Sequence, residues 1–179
     1  LNAISEKSRK ENSYAFLTYK ILELFYYIRV SKDANKVNDC KNMIENNIGA
    51  LSNYEKSVFY SLMAIFYKRY NSKIILANKY LQQSNQFCNE GTIVHAMNLF
   101  QKIVVLGEMN RPALALIECQ KAKDILKNLE NYKRLTDIDL FEGNCLILLG
   151  EQEKAQLRLK SILELRNNEL CDNTSSIIQ

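Results

Sequence analysis

The sequence contains few of the residues that interrupt helices or shape turns. Its 179 residues include one proline, five glycines and no tryptophan. Because sheet-rich and loop-rich folds use Gly and Pro at their turns, this scarcity argues against both and favours helix. No apolar run reaches the ~18 residues of a membrane span, and no apolar leader follows the first residues. The sequence therefore predicts a cytoplasmic protein with no membrane partner.

Groups that could support catalysis or hold a metal are also scarce. The five cysteines are far apart and never form a C-x-x-C pair, which predicts neither a zinc site nor a disulfide framework. The single histidine, His95, has no nucleophile pattern around it. Asp137 and Asp139 would point to different faces of a helix, and no glycine-rich phosphate loop occurs. We therefore expect no enzyme activity, no cofactor and no metal.

Charge does not identify a partner. The formal net charge is +4, and Lys and Arg are interleaved with Asp and Glu along the chain. This pattern predicts no direct contact with nucleic acid. The chain begins with Leu1 and not with Met. We therefore expect a further domain upstream, and DNA binding only through that missing N-terminal domain.

Apolar residues recur at helical spacing in eight stretches. The first stretch is apolar over so wide a face, including Phe16, Tyr19 and Leu22, that it indicates a buried helix. The predicted helices cover about residues 12–30, 33–48, 52–70, 74–87, 92–106, 112–129, 132–149 and 152–166. Start signals are Asp33, Ser52 with Glu55, Thr92 and Pro112, and predicted glycine stops are Gly49, Gly107 and Gly150.

The clearest repeat unit lies near the end of the chain. It has a small residue in its first helix (Gly143), a glycine at the turn (Gly150) and an alanine where the helices would cross (Ala155), followed by Leu159 and Ile162. This unit resembles a tetratricopeptide repeat, in which small residues let two helices approach closely. Weaker copies recur at about 40 residues, longer than the usual ~34. The resemblance implies an all-α, right-handed superhelix of about four hairpins.

Long, diverged repeats of this kind resemble the peptide-sensing half of the Rap, Rgg and PlcR type of bacterial regulators. The resemblance implies one repeat domain over residues 1–170 with a polar tail over 171–179. It also implies that the chain binds a short signalling peptide, forms a homodimer and serves transcription regulation in quorum sensing. This is an analogy at the level of fold.

A binding site can be predicted by aligning the first helix of each hairpin. In a tetratricopeptide superhelix these helices line the concave groove, and an arginine fork there could hold a peptide carboxylate. Amides could pair with the peptide backbone, and aromatic rings could take its apolar side chains. The predicted ligand-binding residues are Tyr26, Arg29, Phe66, Arg69, Gln101 and Asn144.

Each predicted contact has a structural alternative. Arg29 and Arg69 could simply stabilise the ends of their helices, and Tyr26 and Phe66 could belong to the core. Asn144 has less structural reason for its position, because it lies beside a tight glycine and an apolar run. The alternative function is a scaffold that recognises a folded partner protein or itself, without any peptide ligand, since Tyr is enriched at interfaces.

Overall fold

The computed structural model describes the backbone of residues 2–175, and the side chains of residues 13–164 other than 71, 132 and 133. In this part of the chain all regular structure is helical, which confirms the predicted all-α class. The helices are α1 (Asn2–Tyr26), α2 (Ala34–Glu45), α3 (Asn53–Asn71), α4 (Ile74–Phe87), α5 (Ile93–Glu108), α6 (Pro112–Asn128), α7 (Tyr132–Leu148) and α8 (Gln152–Ser175). A π-helical turn, Tyr27–Ser31, extends α1, and a 3₁₀ turn, Ile48–Ala50, joins α2 to α3.

The predicted start signals cap the helices as expected. The Asp33 carboxylate accepts hydrogen bonds from two backbone N–H groups of α2. Ser52 and Glu55 form a reciprocal capping box at α3, the Thr92 hydroxyl accepts from a backbone N–H of α5, and Pro112 is the first residue of α6. Local chemistry therefore defines where these four helices begin.

The predicted glycine stops are only partly right. Gly150 has a positive φ of 79° and ends α7 as expected. Gly49 and Gly107 do not adopt positive φ, because Gly49 lies in the 3₁₀ turn and α5 continues through Gly107. The left-handed residue after α5 is instead Asn110, with a φ of 55°. Asn tolerates this conformation better than most residues with a side chain.

The ends of the chain are more helical than the apolar pattern predicts. Helix α1 begins at Asn2, well before the predicted start near residue 12, and α8 continues to Ser175, beyond its predicted end at Arg166. The extension of α1 is rich in good helix formers, whereas residues 167–175 are mostly weak ones. Both extensions are polar and lack the apolar stripe on which the prediction depended. Residues 176–179 of the predicted polar tail lie outside the described residues.

The chain divides into two compact units, residues 1–98 and 99–179. In the first unit α1 packs on α2 and α3, and α3 packs on α4. The Thr18 hydroxyl of α1 donates to the Glu55 carboxylate of α3 at 2.6 Å. Burial alone would raise the pKa of Glu55, but the hydrogen bonds from Thr18 and Ser52 outweigh it, so the pKa lies below the usual value.

In the second unit α7 packs between α6 and α8. A Cβ atom on Gly143 would lie 3.0 Å from the Leu159 side chain, so the glycine permits a close approach of α7 and α8. Ala155 is 2% exposed at the same pair of helices. These contacts are the ones expected from the repeat unit near the end of the chain.

Candidate functional site

Helix α1 has apolar residues on two opposite faces. One face, with Leu17, Ile21, Leu24 and Ile28, is buried in the first unit. The opposite face carries a row at helical spacing in which every side chain is at least 48% exposed. We call this row the outer stripe; its members are Phe16, Tyr19, Leu22, Tyr26 and Val30. A surface helix normally buries its one apolar face, so the second face has no role in the packing of the unit.

The outer stripe is long and continuous. It extends over 14 residue steps, or about 21 Å at 1.5 Å per residue. With five side chains about half exposed, it presents about 500 Å² of apolar surface, a size at which exposed patches are often functional. The sequence prediction that Phe16, Tyr19 and Leu22 are buried is therefore wrong.

A charged pair borders the outer stripe. The Lys20 ammonium donates to the Glu23 carboxylate, and this hydrogen bond raises the pKa of Lys20. Lys20 Nζ also lies 5.4 Å from the centre of the Phe16 ring and 5.9 Å from that of Tyr19, within the range of a cation–π contact. The two rings are thus held in place on a surface that is otherwise open.

Four of the predicted ligand-binding residues lie in the first unit. Tyr26 is half exposed on the outer stripe, Arg29 is half-buried in the π-helical turn, and Arg69 is exposed near the end of α3. Phe66 is 2% exposed and packs against the ring of Tyr70 at 5.8 Å between centroids. Its position matches the core alternative, because a buried ring offers no surface to a ligand.

The other two predicted residues lie in the second unit. Gln101 is half-buried on α5, and Asn144 is exposed on α7. Asn144 follows Gly143 but points to solvent, as a ligand contact would require. A common wall built by the five predicted residues other than the buried Phe66 remains a prediction.

A charged cluster in the second unit is the strongest alternative to a binding surface. The Lys123 ammonium lies 2.9 Å from Asp139 and 2.7 Å from Glu142, and Arg158 Nε lies 2.9 Å from Glu142. These groups join α6, α7 and α8 and pair with one another. We assign the cluster a structural role, because mutually paired charges have little capacity left for a substrate. No sequence pattern indicated this cluster, because its members are on three different helices.

The histidine and the buried cysteines also have structural explanations. His95 Nδ1 accepts a hydrogen bond from the backbone N–H of Gly91. Burial raises the pKa of the Cys119 thiol to about 12, which leaves it protonated and poorly nucleophilic at neutral pH. Among the described residues, no three His, Cys, Asp or Glu side chains form a group that could hold a metal ion.

Comparisons with known proteins do not assign this site. The chain matches no protein-family model, no curated protein and no solved structure. Within the described residues, no helix combines the length and the apolar character needed to cross a bilayer. The outer stripe is consequently interpreted from its own geometry and chemistry.

Proposed function

We propose that this chain is a protein-interaction module that binds a short peptide along the outer stripe of α1. The observation that supports this proposal is the second apolar face of α1, exposed from Phe16 to Val30. Aromatic rings offer large apolar contact areas to a peptide, and the Tyr hydroxyls can pair with its polar groups. An extended peptide of about six or seven residues matches the length of the stripe, at about 3.3 Å per residue.

Arg29 adjoins Val30 at one end of this surface, and Arg69 lies at the end of α3. The Tyr70 hydroxyl donates to the backbone carbonyl of Ile28 at 2.7 Å, which joins the end of α3 to the end of α1. Arg29 and Arg69 are each one residue from this bond in sequence. We expect one of them to receive the carboxylate of the bound peptide, since guanidinium groups bind carboxylates with two parallel hydrogen bonds.

The proposal extends to the arrangement of the repeats. Helix α1 packs on α2, α3 on α4, and α7 on both α6 and α8, while Lys102 of α5 pairs with Glu118 of α6. Gly143 and Ala155 take the small-residue positions that a tetratricopeptide-like hairpin needs. These contacts support a right-handed superhelix of four hairpins. That peptide binding controls a DNA-binding domain of a bacterial regulator is a further proposal, which rests on the resemblance alone.

Self-association through the outer stripe is the second candidate function. The stripe presents about 500 Å² of apolar surface, close to the apolar share of the roughly 800 Å² that each partner buries in a standard interface. Two copies of α1 could therefore cover each other by two-fold symmetry, in which the same patch serves both subunits. The predicted homodimer would use this contact.

A thermal-shift titration with pools of seven-residue apolar peptides tests the main proposal. At a peptide concentration of 100 times Kd, binding stabilises by about 2.7 kcal/mol, which corresponds to a rise of about 5–10 °C in Tm for a chain of this size. Tyr19→Ser with Leu22→Ser should abolish the rise. The matched control, Leu157→Ser with Leu163→Ser, removes two exposed apolar residues from α8. The peptide-induced rise in Tm should be unchanged in this control.

The outcome separates the two candidates. A peptide-induced rise in Tm that survives in the Tyr19→Ser, Leu22→Ser variant would reject the outer stripe as the peptide site. Sedimentation equilibrium of the same variants tests self-association: a dimer that dissociates only in the α1 variant supports the second candidate. A chain that is monomeric in all variants excludes it.

A further inference from the structure

Two turns of the first unit lie at the same end of the helices. One turn connects α1 to α2 and the other connects α3 to α4. The hydrogen bond from the Tyr70 hydroxyl to the Ile28 carbonyl, 2.7 Å long, joins them directly. We call residues 28–36 and 67–79, which make up these two turns and the adjoining helix ends, the basic end.

The basic end holds the positive excess of the whole chain. Seven of the chain's 24 Lys and Arg residues lie in it, against one of the 20 Asp and Glu residues. The rest of the chain therefore has more acidic than basic residues. The one acidic residue, Asp33, is already the N-cap of α2 and accepts hydrogen bonds from two of its backbone N–H groups. The seven cations are Arg29, Lys32, Lys36, Lys68, Arg69, Lys73 and Lys79.

Helix stability does not explain all of these cations. Arg29, Lys68 and Arg69 lie in last helical turns, where positive charge is favourable. Lys36 is in the first turn of α2, and Lys73 is the N-cap of α4 without a side-chain capping bond. A cation near a helix N-terminus is disfavoured by the positive end of the helix dipole. For Lys36, the Asp33 carboxylate at 4.0 Å and the Tyr27 ring at 5.3 Å supply a structural reason. A surface function is the better reason for Lys73.

Apolar side chains lie among the lysines. Ile75, in the first turn of α4, is 81% exposed. An open cavity of about 530 Å³ is lined at this place by the first residues of α4 and the residues just before them. Its lining combines aliphatic side chains, which suit an acyl chain, with two ammonium groups, which suit an anionic headgroup. The lining residues are Ser72, Lys73, Ile74, Ile75, Leu76 and Lys79.

The sequence predicts no membrane partner, but we propose that the basic end docks on an anionic lipid surface, with the lysines against the headgroups and Ile75 inserted between them. Clusters of four to eight Lys and Arg residues are typical of segments that bind anionic lipids, and an exposed aliphatic side chain adds apolar burial at the interface. Nucleic acid offers phosphates but gives no comparable gain for an exposed isoleucine. Arg29 and Arg69 belong to both proposed surfaces, but Lys73, Ile75 and Lys79, on which this inference is tested, have no part in the peptide proposal.

Sedimentation of the full chain with vesicles tests the inference. The chain should bind vesicles that contain phosphatidylserine and not vesicles of phosphatidylcholine alone, and binding should disappear near 0.5 M salt, where the Debye length is only about 4 Å. Each cation near the surface contributes about a five-fold factor to partitioning, so Lys73→Ala with Lys79→Ala should weaken it about 30-fold. Ile75→Ser should weaken it further without changing the salt dependence.

The controls make the result decisive. Lys127→Ala with Lys160→Ala removes the same charge from exposed positions of the second unit and should leave partitioning within about two-fold. Equal losses in the two double variants would overturn the inference, since net charge alone would then be responsible. Absence of binding to anionic vesicles at low salt would also overturn it. So would tighter binding of duplex DNA or polyglutamate that depends on Lys73 and Lys79.

Discussion

Replacing Lys123 with methionine should destabilise the second unit by about 3 kcal/mol. The Lys123 side chain is 7% exposed, and its ammonium is within 3 Å of both Asp139 and Glu142. Methionine has a similar length but no charge, so the substitution leaves two carboxylates without their central cation. Breaking a buried ion pair in this way typically costs about 3–5 kcal/mol. We expect the low end, because Arg158 Nε remains 2.9 Å from Glu142.

The effect should depend on pH in a defined direction. Burial lowers the pKa of Lys123, but the hydrogen bonds to Glu142 and Asp139 outweigh burial and raise it overall. A cation whose pKa rises on folding contributes its full stability below its unfolded pKa of about 10.4. That contribution is lost as pH rises through the folded pKa. The difference between wild type and Lys123→Met should therefore be constant near neutral pH and shrink above about pH 10.4.

Urea denaturation followed by circular dichroism, together with hydrogen exchange of the α7 amides, measures this loss. Lys127→Met provides a matched control, since Lys127 is on the same helix and exposed; surface substitutions of this kind usually change stability by less than about 0.5 kcal/mol. A loss below about 1 kcal/mol in Lys123→Met, or one equal to the control, would refute the reasoning. The cluster would then behave like an exposed ion pair.

Three further predictions follow from single residues. Glu55→Gln should lower the free energy of unfolding by about 1–2 kcal/mol at neutral pH. Because folding lowers the pKa of Glu55, the wild-type advantage is present above about pH 4.3 and is lost as pH falls through the folded pKa. Acid denaturation of both proteins measures this difference. Glu130→Gly should stabilise by about 1 kcal/mol in urea, because Glu130 has a φ of 54° that glycine adopts without strain. Arg69→Ala should weaken peptide binding in calorimetry with unchanged circular dichroism, and a normal affinity would remove Arg69 from the site.

The helices and most of their starts could be predicted because the information is local. A carboxylate at Asp33 or a hydroxyl at Ser52 caps whatever helix follows it, independently of the rest of the fold. The ends of the helices were harder to predict than their starts. Lys32 and Glu130 adopt left-handed backbone angles, although their residue types do not favour this conformation.

The apolar pattern predicted the existence of α1 but not which of its faces is buried. A helix with apolar residues all round is expected to lie in a core, yet only the Leu17 and Leu24 face of α1 meets other helices. Burial depends on the number of neighbours that a helix has, which the pattern of one segment does not contain. For the same reason Phe66 and Tyr26 occupied equivalent positions in the sequence alignment but differ in exposure, 2% against 50%.

The basic end shows why interleaved charges can still form a patch. Along the sequence, Lys32 and Lys73 are 41 residues apart and separated by acidic residues. The linear sequence therefore shows no cluster of basic residues. Antiparallel hairpins return every second turn to the same end of a unit, and the Tyr70–Ile28 hydrogen bond joins these two turns. Two of the four acidic residues between them lie at the other end, Glu45 at the end of α2 and Glu55 in the first turn of α3. Topology therefore separates charges that the sequence mixes, and a surface field can arise without any run of basic residues.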